Sequence, residues 1–138
     1  MNQESTAVLT DDSEVLLRQV HPSHEIQTNA GISSEAFVPS EDDRDLLSTL
    51  RGRVDPAEAY RRWTEDLSHE SLGTYGVAVG EVEGAGLRAI DDEGSAGVAD
   101  HASIDFTALA SKGQQKKRGR KLRDAAIQRG CLHARPSL

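Results

Sequence analysis

The chain has one cysteine in 138 residues, Cys131, so no intrachain disulfide can form. A zinc ribbon is excluded as well, because it needs several thiolates at fixed spacing. A lone thiol without a cysteine partner fits a reducing compartment, and the expectation is a cytoplasmic protein with an inert Cys131. Aromatic residues are nearly as scarce: Phe37, Phe106, Tyr60, Tyr75 and Trp63 are all there are, so few large side chains can anchor a core. No stretch approaches the roughly 20 apolar residues needed to cross a membrane. The first thirty residues carry Glu4, Asp11, Asp12 and Glu14 and do not resemble a signal peptide.

Catalytic signatures are missing too. Gly73, Gly76, Gly80, Gly84 and Gly86 form neither the dinucleotide fingerprint nor a phosphate loop ending in Lys-Ser/Thr, and no cofactor is expected. They suit tight strand packing and a turn. No Gly-x-Ser-x-Gly elbow presents a nucleophilic serine.

Leu, Ile, Val and Phe make up 29 of the 138 residues, just above the share at which a charged chain fails to fold. One domain with a modest core follows. Charge is divided unevenly along it. Residues 1–111 hold 7 basic and 22 acidic side chains, whereas residues 112–138 hold 9 basic and 1 acidic. The net charge of −7 thus joins a −15 body to a +8 tail, with the break near Lys112.

Local patterning supplies the elements. Residues 1–13 are polar and read as a mobile arm. Glu14–Val20 reads as a first strand, ended by Pro22, which has no N–H for a ladder and pushes His21 toward extended backbone. Residues 23–31 are loop-like, Ile32–Pro39 carries a short apolar cluster, and Ser40–Asp45 is an acidic turn. Leu46–Leu50 suits a strand or one helical turn. A helix over Pro56–Leu67 has Asp55 as cap, Pro56 in the first position and Glu58 three residues after the cap. Its apolar stripe is Ala59, Tyr60, Trp63 and Leu67, with Tyr60 and Trp63 as anchors to a sheet. Leu72–Val82 reads as a strand, Gly84–Gly86 as a turn, and Leu87–Ile90 as the return strand of a hairpin. Asp91–Gly97 is an acidic loop and Ala102–Phe106 a last strand. Lys112–Gln115 reads as a linker before a helix over Arg120–Arg129, stopped by Gly130.

Three groups of residues could carry chemistry. Lys112, Lys116, Lys117, Arg118, Arg120, Lys121 and Arg123 lie together without a carboxylate among them. Such density attracts phosphate, because neutralising phosphates releases condensed counterions. Residues 116–121 (KKRGRK) also match a nuclear-localisation pattern. The segment has no aromatic side chain to stack on bases, so binding would follow the backbone and not the sequence. Its cations oppose the dipole at a helix start, which calls for a neutralising partner: nucleic acid, an acidic protein, or the chain's own acidic body.

The second group is Arg18, His21, His24, Ser33, Ser34 and Arg51. Arg18 and the strand-end His21 would emerge near a loop mouth, where a His can act as base and two Arg can grip phosphate. In order and residue type the set resembles small ADP-ribosyltransferase-like folds, in which a first-strand Arg or His and a later Ser meet a dinucleotide. That resemblance implies a nucleotide-like substrate. The third group is His101 with Asp100 and Asp105: on a strand His101, Ser103 and Asp105 share a face, and a carboxylate could orient the imidazole. A metal site would need His21 or His24 to converge on them, and none is expected.

These readings give an α+β domain over residues 14–111, a small mostly antiparallel sheet with one packed helix, followed by a basic linker and C-terminal helix over 112–138. The expected function is an accessory protein whose basic segment docks on nucleic acid or an acidic partner, with no membrane contact. One alternative is a small enzyme on a phosphorylated or nucleotide-like substrate, using Arg18, His21, Ser34, His101 and Asp105. Another is an inhibitor or immunity-type protein presenting the Ser40–Asp45 and Asp91–Glu93 acids on one face.

Overall fold

The computed structural model describes residues 7–26, 31–40, 43–109 and 111–136. Nine strands occur among them: β1 (Ala7–Val8), β2 (Val15–Val20), β3 (Glu25–Ile26), β4 (Gly31–Ile32), β5 (Leu46–Leu50), β6 (Gly73–Ala78), β7 (Arg88–Asp91), β8 (His101–Asp105) and β9 (His133–Ala134). Four α-helices join them: α1 (Pro56–Arg61), α2 (Val79–Gly84), α3 (Glu93–Ala96) and α4 (Lys112–Arg129). Seven strands form one antiparallel sheet in the order β1-β7-β8-β5-β2-β6-β9, and β3 and β4 pair separately. The fold is α+β.

Strand alternation divides the apolar residues between two faces. Leu16 stands opposite Val77, and Leu47 and Ala89 stand opposite Ile104. They line the larger core with Phe37, Phe106, Val79, Val82, Leu122 and Ala126, under α2 and α4. Burying each large apolar side chain there contributes about 1.5–3 kcal/mol. Leu17, Val54 and Ala59 form a smaller cluster on the opposite face, beneath α1.

Several segments depart from the sequence reading. Ala7 and Val8, within the stretch read as an arm, pair with Ile90 and Asp91. Residues 79–82, read as the end of a strand, turn into α2. The Glu81 carboxylate accepts the Ala78 N–H at 2.8 Å and takes a two-pronged grip from Arg129, at 2.8 and 3.0 Å. Val79 and Val82, three apart, then both enter the core. The expected β6–β7 hairpin is absent for the same reason: α2 carries the chain over the sheet, and β8, β5 and β2 lie between those strands. α1 starts as expected, with Asp55 accepting the Ala57 N–H at 3.0 Å, but it ends in a π-helical turn over Arg62–Asp66. Trp63 is no core anchor; its indole N–H donates to the Glu70 carbonyl at 3.0 Å and its ring lies against His69. α3 occupies part of the expected loop at 91–97.

No linker precedes the last helix. Ser111 caps α4 by accepting the Gln114 N–H at 3.2 Å, so the helix begins at Lys112. Gln115, Gly119, Leu122 and Ala126 are buried at helical spacing. Gly119 permits the close crossing: a Cβ there would stand 2.5 Å from Val38 Cγ2 and 3.0 Å from the Phe37 carbonyl oxygen. α4 is therefore part of the layer covering the main core.

Candidate functional site

The buried stripe of α4 fixes which way its cations point. Lys116, Lys117, Arg120 and Lys121 are exposed. Of the seven basic residues over 112–123, Arg123 alone meets a carboxylate among the described residues, Asp124 at 2.6 Å; its Nη1 also donates to the Ile32 carbonyl at 3.0 Å. Lys112 donates to two neutral oxygens, Pro39 O at 3.0 Å and Gln115 Oε1 at 3.1 Å. The seven are thus carried on one helix, six of them without a counter-ion among the described residues.

The body's arginines are treated differently. Arg51 lies between Glu14 at 2.6 Å and Asp91 at 2.7 Å. Arg53 and Arg62 share Asp100 at 2.8 and 3.0 Å, Arg61 pairs with Glu58 and Asp66, and Arg88 with Asp105. The Arg51 guanidinium holds the Glu14 carboxyl below the usual range, and Arg129 does the same to Glu81.

Arg18 departs from that pattern. It shares a face with Leu16 and Val20, pointing toward the core side of the sheet. β2 and β5 pair at one position, Leu17 with Leu50, and Arg18 lies where the two strands part. Its Nε donates to Ala36 O and its Nη1 to Ser48 O, both at 2.9 Å. Both acceptors are neutral carbonyls, and the guanidinium meets no carboxylate among the described residues. Burial pushes its pKa down to about 10, with Asp43 opposing the shift.

The remaining candidates go to separate places. His21 Nδ1 accepts the Ser23 N–H at 3.0 Å in the turn over Pro22–His24, facing solvent. Ser34 starts a 3-10 turn over Ser34–Phe37, and its carbonyl faces Gly119. His101 does lie on the same face as Ser103 and Asp105, but its Nδ1–H donates to Asp92 at 2.6 Å, and Ser103 Oγ donates to the other oxygen of Asp92 at 2.6 Å. Asp105 receives Arg88 at 2.8 Å and the Thr107 hydroxyl at 2.6 Å. Burial would raise the Asp105 carboxyl; these donors outweigh it and hold the pKa below the usual value. Asp92 was read only as part of an acidic loop. Its role rests on α3 folding it back onto β8, for which the sequence carries no local signal.

Two cavities flank Arg18. One, about 190 Å³, lies under α1 and is lined by Leu17, Leu50, Ala59, Trp63 and Leu67, with Arg18 and His101 also in its wall. The other, about 370 Å³, lies between the turn over residues 34–37 and the start of α4, with Arg18, His24, Lys112 and Lys116 in its wall. Neither brings together all of Arg18, His21, Ser34, His101 and Asp105: the first joins Arg18 to His101, and the second joins Arg18 to His24. Among the described residues no three His, Cys, Asp or Glu side chains are grouped to hold a metal ion, and no helix is long and apolar enough to cross a membrane. Compared with known proteins, the chain matches no family, no curated sequence and no solved structure.

Proposed function

We propose that the protein is a small accessory protein that docks on the phosphate backbone of nucleic acid through α4. The observation that carries this reading is the exposed, carboxylate-free row of Lys116, Lys117, Arg120 and Lys121 on a helix whose other side is fixed in the core. The helix backbone that carries them is fixed by its buried side, and each contact with phosphate releases counterions. Without aromatic side chains in α4, recognition is of backbone and not of sequence. The acidic body repels the same polymer and so orients the protein helix-first. Deleting residues 112–138 is no test, because it removes Leu122 and Ala126 from the core. The test is a full-length variant with Lys116, Lys117, Arg120 and Lys121 changed to Gln, titrated with duplex DNA and single-stranded RNA. Loss of binding with an unchanged unfolding midpoint supports the reading. Unchanged binding rejects it, and binding to polyglutamate but not to nucleic acid moves the assignment to an acidic protein partner.

A second reading is a small enzyme acting on a phosphorylated or nucleotide-like substrate, favoured by the Asp92–His101 pair. Asp92 takes Nδ1, leaving Nε2 as the free nitrogen of an imidazole that lines the apolar cavity beside Arg18. That arrangement suits a general base with a guanidinium to hold negative charge. Incubation with nucleoside phosphates followed by ³¹P NMR tests it; turnover abolished by His101→Gln is expected, and no turnover removes it. The inhibitor reading gains nothing from Asp91, Asp92 and Glu93, whose carboxylates meet Arg51, His101 and Arg53.

A further inference from the structure

We propose that the cavity between β2, the turn over residues 34–37 and the first turns of α4 is a binding site for a phosphate group. Its wall holds three cations, Arg18, Lys112 and Lys116, and among the described residues two carboxylates, Glu35 and Asp43. None of these five makes an ion pair with another among the described residues. Asp43 is turned to the chain itself, accepting the Ser40 N–H at 2.7 Å.

Two groups in this wall are chemically incomplete. Arg18 spends Nε and Nη1 on carbonyls, and its Nη2 makes no hydrogen bond among the described residues. His24 has a buried Nδ1 with no hydrogen-bond partner. A half-buried guanidinium met only by neutral carbonyls among the described residues keeps its charge largely uncompensated, which is costly where water is scarce. The unpartnered ring nitrogen of His24 adds to that cost. An entering anion relieves both. Phosphate fits better than a simple carboxylate, since it offers enough oxygens to face Arg18, Lys116 and a protonated His24 at once. About 370 Å³ accommodates the group together with part of the molecule that carries it.

The site also explains the wide spacing of its parts in sequence. Gly119 lets α4 lie against residues 34–38, which brings Lys112 to Pro39 and Lys116 to the cavity mouth. β2 supplies Arg18 from the other side. The inference does not rest on nucleic-acid docking, because Lys117 and Lys121 do not line the cavity.

The experiment uses the full chain and three probes: inorganic phosphate, a nucleoside 5′-monophosphate, and sodium chloride at matched ionic strength. Calorimetry reads affinity and histidine NMR reads the ionisation of His24. In the empty site burial and the neighbouring charges of Arg18 and His21 hold the His24 pKa below its ordinary value, with Glu35 opposing. Asp43, Lys112 and Lys116 face the same space. Saturable one-to-one phosphate binding is expected, with a rise in the His24 pKa that chloride does not reproduce. Lys116→Gln, on an exposed side chain, should weaken binding about tenfold, the effect of losing one charge-assisted contact. Arg18→Gln should abolish it, and Lys121→Gln should leave it unchanged. A monophosphate that binds more tightly than free phosphate assigns the group to an ester; equal affinity assigns it to the free anion. No saturable binding, or binding indifferent to Lys116→Gln, overturns the proposal, and does so even if nucleic acid still binds α4.

Discussion

The end of the sheet beneath α1 and the outer surface of α4 both carry several cations, and they use them in opposite ways. Arg51, Arg53, Arg61 and Arg62 each meet a carboxylate. On α4, Lys112, Lys116, Lys117, Arg118, Arg120 and Lys121 meet none among the described residues. Pairing in the first region ties β2, β5, β7 and β8 to their loops, so the charge is spent on the fold. The second region buries an apolar stripe for stability and leaves its charge to act outward. The difference separates cations that serve the structure from cations available to the docking proposed above.

The largest effect is expected within the body. Asp92 is 5% exposed and receives both His101 and Ser103. Asp92→Ala strands both donors and should cost about 3 kcal/mol, seen as a lower urea midpoint. Gly119→Val comes next, since a larger side chain collides with Val38 and the Phe37 carbonyl. A loss of about 2 kcal/mol is expected, together with weaker phosphate binding as α4 is pushed off residues 34–38.

Acid should act on the carboxylates held by arginine, Glu14 beside Arg51 and Glu81 beside Arg129. The folded-state pKa values of Glu14 and Glu81 lie below the ordinary 4.5, so the unfolded chain takes up protons first as pH falls. Their stabilisation is whole above about pH 4.5 and is lost as pH drops through the lower folded values. Glu14→Gln should cost about 1.5 kcal/mol at neutral pH and flatten the acid limb of the stability profile. The smallest change is predicted for Lys117→Ala with Lys121→Ala, within about 0.5 kcal/mol of wild type in unfolding. A large destabilisation there would break the contrast between the two regions, because these cations would then be structural.

What could be read from the sequence was local. β8 and the start of α1 follow from a short apolar run and from the Asp55–Pro56 cap, and Pro22 marks the end of β2, while the residues of β2 and β5 fit a helical turn nearly as well as a strand. The charge division at Lys112 is likewise written in composition, and it marks the start of α4. What was not legible depends on distant partners. α2 is capped by Glu81, which Arg129 grips from 48 residues away. His101 is oriented by Asp92, nine residues earlier across the bend at α3, and not by the strand neighbour Asp105. The cavity at Arg18 exists because β2 and β5 separate after one pair, and neither strand announces this in its residues.

The central claim is tested most directly by the salt dependence of duplex-DNA binding, wild type against the variant with Lys116, Lys117, Arg120 and Lys121 changed to Gln. Wild-type affinity should fall linearly on a log–log plot, and the variant's slope should be shallower by about 0.9 for each cation that stood on a phosphate. Identical slopes for the two proteins, or a wild-type affinity insensitive to salt, would contradict the account.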